Sequence, residues 1–416
     1  MRQFGLASAF LLAFVLVSGA AAQGVPVSIA ADLDPGSASG IRIEGLVADR
    51  NGRLYTADLD SRRFYRVTPE TGAVEVLGTL PRTASGMAFD SGGNLYMASG
   101  DVVLRVPAAQ LAGTSIDPAA VQTFAQNVPG ANGLAFDGAG NLYVSGGNTG
   151  NIYLVSPTGT VTIFASGFTS DRQEQRISTN GLAFGPDGRL YSANTGSGAI
   201  DRITLKPEGG VQVVERFVTS PLLFGADGIT FAANGDLYVA ANERNAIVKV
   251  TPAVQVSDVA SNGNTGPLEF PASPAFAGNV LYASNFDLPR GANAPPEPGV
   301  GASIARIEVG VGGLALPVAQ PAPSTPAAAP STPATPSAPA VAPSTPATAP
   351  STPATPAAPS TAAAPSPAPA APSSPAGGVP AALPNTGSTW SPVALLLLGS
   401  LTLLGGVVLR RALRWS

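Results

Sequence analysis

An apolar-tyrosine pair returns six times along the chain, with the tyrosine at Tyr55, Tyr96, Tyr143, Tyr191, Tyr238 and Tyr282 and spacings of 41, 47, 48, 47 and 44 residues. A period of this size means one supersecondary unit used repeatedly, because such a unit cannot bury its apolar face alone and must stack on its neighbours. The unit is legible in its third copy. It holds Gly133-Leu134-Ala135-Phe136, a turn at Asp137-Gly138-Ala139-Gly140, then Asn141-Leu142-Tyr143-Val144, and two further short runs, Ile152 to Val155 and Val161 to Phe164. Helical periodicity is absent. Four short antiparallel strands per unit predict a β-propeller blade, and six tyrosines predict six blades in one all-β domain over residues 23–313. The sixth unit lacks a fourth strand after Ile304 to Val309, whereas Val25 to Ala30 resembles the outer strands Val121 to Phe124 and Val161 to Phe164. The start of the mature chain is therefore expected to complete the last blade and remove an open edge.

The regions outside the repeats read differently. Residues 1–22 carry Arg2, the apolar run Leu11 to Val17 and the small residues Ala20 to Ala22, the order of a secretory signal peptide; an uncleaved anchor is the alternative. The linker, 314–382, contains a stretch from Pro317 to Ala382 without a single charge, in which Pro-Ser-Thr-Pro begins at 323, 330, 343 and 350. Such a composition predicts a disordered stalk reaching up to roughly 200 Å at about 3.1 Å per residue. In residues 383–416, Leu383, Pro384, Asn385, Thr386 and Gly387 precede an apolar segment at 392–409 and then Arg410, Arg411 and Arg414. At about 1.5 Å per residue the segment can nearly cross a hydrocarbon core, with the arginines on the cytoplasmic side.

That C-terminal order resembles the sorting signal read by sortase transpeptidases of cell-wall-bearing bacteria. The resemblance implies cleavage between Thr386 and Gly387, attachment of Thr386 to peptidoglycan, and a location at the cell wall or the outer face of the plasma membrane. A plain membrane anchor is the other reading, and it leaves the domain on the same side.

Composition excludes several chemistries. With no cysteine and no histidine the chain has no disulfides, no thiol nucleophile, no Ser-His-Asp triad and no usual zinc site. Four of the 22 basic residues lie outside the repeats (Arg2, Arg410, Arg411 and Arg414), so the repeat domain holds 18 basic against 26 acidic residues, a net charge of −8. Nucleic acid is not an expected partner of such a surface.

Two sets of positions can be compared across the blades. After the second strand come Asp58, Asp101, Asn148, Asn194, Asn242 and Asn285. A side chain of one kind in all six places reads as a turn former. Just before the first strand the residues are Glu44, Ser85, Asn132, Asn180, Asp227 and Ala272. Here the repeat is broken, and four slots offer oxygen ligands aimed at one axis. Two carboxylates at close range call for a cation, and oxygen ligands without His or Cys favour calcium ahead of magnesium or manganese. Each Asx-Gly pair taken singly is also an ordinary turn, but Glu44 is not a turn residue.

Glu44-Gly45, Asn132-Gly133, Asn180-Gly181-Leu182-Ala183-Phe184 with Pro186-Asp187-Gly188 and Leu190-Tyr191, and Asp227-Gly228 resemble the gluconolactonase/regucalcin family, with the paraoxonases as more distant relatives. The resemblance covers about Ile41 to Val309. It implies a divalent cation held by Glu44, Asn180 and Asp227, with Asn132 on the metal or facing a small-molecule substrate, and Asp227 as general base in hydrolysis of a lactone or ester. Two departures stand out. Gly130 occupies the place where sugar-lactone members carry an Arg, and the histidines of paraoxonases are missing. A non-catalytic propeller displayed to bind glycan or protein is therefore the rival reading, and a lyase of the kind found on related propellers is a third. Ser170 to Arg176 and Phe286 to Val300 are extra loops expected on the ligand face.

Overall fold

The structure, a computed structural model, describes residues 24–35, 39–263, 266–288 and 299–315. The leader, the linker beyond residue 315, the sorting sequence and the apolar segment at 392–409 lie outside the described residues. Among the described residues no helix is long and apolar enough to cross a membrane.

Strand β1 (Val27–Asp32) precedes the first repeat. Blade 1 holds β2 (Ile43–Ala48), β3 (Leu54–Asp58), β4 (Arg63–Thr68) and β5 (Ala73–Thr79), and blade 2 holds β6 (Met87–Phe89), β7 (Leu95–Val106) and β8 (Gln122–Ala131). Blade 3 is β9 (Leu134–Phe136), β10 (Leu142–Ser145), β11 (Asn151–Val155) and β12 (Val161–Ser166). Blade 4 is β13 (Leu182–Phe184), β14 (Leu190–Asn194), β15 (Ala199–Leu205) and β16 (Val211–Thr219). Blade 5 is β17 (Ala226–Phe231), β18 (Leu237–Ala241), β19 (Ala246–Val250) and β20 (Val256–Ser261), and blade 6 is β21 (Pro271–Ala277), β22 (Val280–Asn285) and β23 (Ser303–Ile307). The innermost strands touch in the order β2, β6, β9, β13, β17, β21 and back to β2, which closes a six-bladed ring.

Closure works as the repeat arithmetic requires. β1 pairs antiparallel with β23, Val27 opposite Ile307 and Asp32 opposite Ser303, and becomes the outer strand of blade 6. One expectation needs correction. Blade 2 is a three-stranded sheet, because β7 runs through twelve residues and supplies both middle positions: Leu95 to Met97 pair with β6, while Val102 to Arg105 pair with β8. Only the step at Gly100-Asp101, with Gly100 at φ 66°, separates the two halves, so Asp101 is not in a turn of the expected kind.

The recurring tyrosine has a physical cause. Each ring meets, edge to face, the phenylalanine ending the innermost strand of the next blade. The pairs are Tyr55–Phe89, Tyr96–Phe136, Tyr143–Phe184, Tyr191–Phe231 and Tyr238–Phe276, with centroids 4.9 to 5.6 Å apart. In blades 1, 3 and 4 its hydroxyl reaches the turn aspartate of its own hairpin: Tyr191 donates to Asp187 at 2.9 Å, Tyr55 to Asp49 at 3.3 Å and Tyr143 to Asp137 at 3.4 Å. In blade 3 the turn Asp137 also accepts two backbone N–H groups, from Ala139 and Asn141, both at 2.9 Å. The sixth seam differs. Ala48 stands where the other blades carry Phe, and Tyr282 packs instead among Leu46, Ala48 and Leu54.

Candidate functional site

The six residues at the entry to the innermost strands, each directly before the entry glycine or its equivalent, form one continuous ring. A Cβ on Gly45 would sit 2.0 Å from the Ser85 carbonyl oxygen, and one on Gly86 2.1 Å from that of Asn132. The same contact repeats at Gly133 with Asn180 (2.4 Å), Gly181 with Asp227 (2.6 Å) and Gly228 with Ala272 (2.5 Å). Any side chain there would strike its neighbour's backbone, so glycine is what lets the blades close to this radius. Two of these contacts are hydrogen bonds, from Gly86 N–H to Asn132 at 2.9 Å and from Gly181 N–H to Asp227 at 3.2 Å. The circle is completed by Ser284, whose Oγ donates to the Glu44 carbonyl at 2.6 Å. The structure thus brings Glu44, Asn132, Asn180 and Asp227 to one rim, with Ala272 alone between the slots of Asp227 and Glu44.

Their environments differ in ways that bear on chemistry. Asn180 is 3% exposed and donates through Nδ2 to Thr195 Oγ1 at 3.0 Å, and that hydroxyl in turn donates to the Ala226 carbonyl at 2.7 Å. The donor side of the amide is therefore committed, and Oδ1 is left with no donor among the described residues. Asp227, 7% exposed, accepts from Asn242 Nδ2 at 2.9 Å on Oδ2. Glu44 is half-buried, and its carboxylate receives no hydrogen bond among the described residues. Burial pushes its pKa up to about 7, opposed by the charge of Arg42. That arginine is itself taken by Asp60 in a two-pronged pair at 2.7 and 2.8 Å on the exposed rim. Asn132 is half-buried, with its side-chain amide unpartnered among the described residues.

The expectation of six equivalent turn formers holds for part of the set. Asp58 accepts from the backbone N–H of Arg42, Asp60 and Ser61, and Asn194 accepts from Ser197 N–H. Asn242 departs from it. It opens a 3-10 turn, Asn242–Arg244, is 3% exposed, and spends its amide on Asp227 while its Oδ1 is buried without a partner among the described residues. The signal was present in the sequence: Glu243 is the only charged residue to follow any of the six Asx positions.

Beneath the rim the channel encloses a cavity of about 230 Å³ walled by the innermost strands, with none of the four acceptor-bearing side chains in its lining. Its lower end meets Leu314, held by a hydrogen bond from its N–H to the Phe231 carbonyl at 2.9 Å. The four oxygen-bearing side chains therefore stand at the rim and not in the shaft. A divalent cation fits the rim on its donor set: one desolvated carboxylate without a donor, a second carboxylate fixed by an amide, and two amide oxygens free of donors. Among the described residues no group of three or more His, Cys, Asp or Glu side chains is placed to hold a metal, so amides must make up the set. Gly130 accounts for the missing arginine of sugar-lactone relatives. It lies at φ 71° with a would-be Cβ 2.4 Å from the Gly146 carbonyl, which leaves no room for a side chain.

A family profile described as SMP-30/Gluconolactonase/LRE-like region matches residues 43–283, more than half of the 416-residue chain. Among solved structures, the fold is similar to a luciferin-regenerating enzyme at TM-score 0.57 and 18% identity, covering 71% of this chain and 99% of that one. It is also similar to a calcium-binding protein, regucalcin, of Agrobacterium tumefaciens at TM-score 0.55 and 20% identity (71% and 98% covered). A gluconolactonase of Xanthomonas campestris gives TM-score 0.50 and 16% identity (70% and 90% covered). No curated protein sequence matches. At these identities the likeness concerns the fold, and it is the family profile, reaching from the rim residue Glu44 to Tyr282, that places the chain in the SMP-30/gluconolactonase/LRE-like family.

Proposed function

We propose that the chain is an exported propeller, tethered by its C-terminal signal to the wall or held at the outer face of the membrane, that binds a divalent cation of the calcium class at the rim and hydrolyses a lactone or ester. Glu44, Asn180 and Asp227 would hold the ion, with Asn132 beside it or facing substrate. The observation that carries this reading is the Glu44 carboxylate, desolvated and without a donor, on the same small ring as Asp227. Holding a desolvated carboxylate ionised without a partner is costly, and a cation is the simplest partner. Regucalcin of similar fold is a calcium-binding protein, which supports the choice of ion.

A bound cation would polarise a carbonyl and stabilise negative charge on its oxygen. The chain's own residues supply the rest. Asn242 holds Asp227 by one oxygen, leaving Oδ1 turned to other contacts, and Asp227 is the carboxylate proposed to take the proton of a water molecule. The Asn132 amide can donate to or accept from a substrate oxygen.

The test pairs binding with turnover. Calcium affinity should be lost in Glu44→Ala with Asp227→Ala, and wild-type affinity in that double variant would end the cation-site reading. A panel of lactones and aryl esters, run with and without chelator, should show metal-dependent hydrolysis. Absence of turnover with calcium bound would favour the second reading, a non-catalytic propeller displayed for glycan or protein. Gly130 favours that alternative to the extent that no arginine grips a sugar acid there.

A further inference from the structure

The loop of residues 167–179 leaves blade 3 after β12 and returns at β13, and it does not simply bridge them. Ser170 packs on Gly196 of blade 4, its Oγ donating to the carbonyls of Arg172 and Gln175, and the loop then reaches on to blade 5. There Arg172 meets Glu243 in a two-pronged ion pair at 3.2 and 3.0 Å, with Gln175 Nε2 also donating to Glu243 at 3.5 Å. The Glu243 side chain is 3% exposed, and the Arg172 guanidinium lies 4.2 Å above the Phe224 ring.

Such a pair is hard to explain by stability, because a buried ion pair is commonly no better than apolar residues of the same volume. Its place in the fold gives a reason. Glu243 sits in the 3-10 turn directly after Asn242, the residue that holds Asp227. That turn is pressed on its other side against Gly225, where a Cβ would lie 2.4 Å from Asn242 Oδ1 and 2.6 Å from Glu243 N. The Asn242 amide therefore has two supports: the backbone at Gly225 and the loop through Arg172.

We propose that Arg172 and Glu243 are positioning residues for Asp227: the loop of blade 3, latched onto blade 5, sets the orientation of the Asn242 amide and through it the carboxylate of the rim. The proposal rests on the reading of the rim as a cation site. By linkage, whatever the latch adds to cation affinity the cation returns as closure of the loop.

The experiment titrates calcium calorimetrically into the full-length chain as wild type, Arg172→Gln, Arg172→Lys, Glu243→Gln, the double variant Arg172→Gln with Glu243→Gln, and Arg244→Gln. Unfolding midpoints in chelator report folding of each. Arg244 makes an equally two-pronged pair with Asp258, at 2.8 and 2.9 Å, from the same turn but on the exposed side. Removing it perturbs the turn without touching the latch. Arg172→Gln and Glu243→Gln should each weaken calcium binding by about fivefold to a hundredfold. The double variant should lose no more than either single one, and Arg172→Lys should recover part of the loss. Arg244→Gln should leave affinity unchanged while lowering the midpoint. Wild-type affinity in both latch variants, or an equal loss in Arg244→Gln, overturns the latch while the cation site stands. A wild-type chain that takes up no calcium overturns the cation reading and this proposal with it.

Discussion

The floor and the rim of the channel are built from the same six repeats and treat them in opposite ways. Near the floor one contact, tyrosine on the next blade's phenylalanine, is made five times with little change in distance or angle. At the rim the six corresponding residues are Glu44, Ser85, Asn132, Asn180, Asp227 and Ala272, and no two neighbours around the ring are alike except Asn132 and Asn180. A position that every blade needs for packing is held constant by packing. A rim position makes no packing contact that all six blades share, and its partners differ from blade to blade, Thr195 for Asn180 and Asn242 for Asp227, so it is free to serve a ligand. The contrast teaches where to look in such a fold: architecture is written in what repeats, and chemistry in what fails to.

The most severe way to break the comparison is at the floor. Tyr191 is 5% exposed, wedged between Phe217 and Phe231, and Tyr191→Ala should cost about 3–5 kcal/mol of stability. Calcium affinity of the folded fraction should be unchanged. Asp227→Ala should do the reverse, abolishing calcium binding while costing about 1–3 kcal/mol for the stranded Asn242 amide. Thermal unfolding and calorimetric titration of the two variants check both halves. A floor variant that lost affinity while folded would show that the two regions are not separable.

Gly181 joins the two regions, and its substitution sharpens the boundary. Gly181→Ala places a methyl 2.6 Å from the Asp227 carbonyl and 2.7 Å from Gly228 Cα, so blades 4 and 5 must move apart. The expected cost is about 1–3 kcal/mol, as for other overpacked sites. Because the displaced backbone is that of Asp227, calcium affinity should fall as well, which neither pure floor nor pure rim variants would combine. Equilibrium unfolding together with calcium titration reads both effects.

Most of the floor was legible in the sequence and only part of the rim. The Leu-Tyr and Gly-apolar frame gave six blades, and the missing outer strand after Ile304 pointed to the strand that supplies it, realised as Val27–Asp32 pairing with Ser303–Ile307. Blade 2 escaped because the step at Gly100-Asp101 is too short to break the strand, so spacing alone could not separate its two halves. Glu44, Asn132, Asn180 and Asp227 were found because they share one register with the glycines. Asn242 and Glu243 are not legible in the same way, since by sequence Asn242 is one of six alike positions. What distinguishes the pair is the hydrogen bond from Asn242 to a residue 15 positions earlier and the salt bridge of Glu243 to one 71 positions earlier, and neither separation follows from the repeat.

The rim should also reveal itself through pH. Burial raises the Glu44 carboxyl to about 7, above the value of about 4.3 expected in the unfolded chain. A group whose folded value is the higher one adds stability that is complete below its unfolded value and is lost as pH rises through about 7. The metal-free chain should therefore melt at a lower temperature on the alkaline side of that range than on the acid side, and Glu44→Gln should flatten the difference. Calcium should bind more tightly as pH rises through the same interval, because the proton must leave first. Melting curves taken in chelator across the range decide it, and a slope that survives in Glu44→Gln assigns the effect to another group.

The smallest expected effect separates the ring of the tyrosine from its hydroxyl. Tyr191 donates to Asp187 at 2.9 Å, whereas the Tyr238 hydroxyl makes no hydrogen bond among the described residues. The cause lies in the turns. In blade 4 the aspartate stands in the turn at Pro186-Asp187-Gly188, within reach of the tyrosine. In blade 5 the turn is Ala233-Asn234-Gly235-Asp236, and the Asp236 carboxylate is taken by Asn234 Nδ2 at 3.0 Å. Both rings meet the next blade's phenylalanine edge to face, at 4.9 and 5.6 Å, so removing only the oxygen leaves the packing in place. Tyr191→Phe should then cost about 1 kcal/mol, the net worth of one hydrogen bond, and Tyr238→Phe close to none. Equal losses in the two variants would mean that the hydroxyl adds nothing beyond the ring, and that the aspartate is kept for the turn alone.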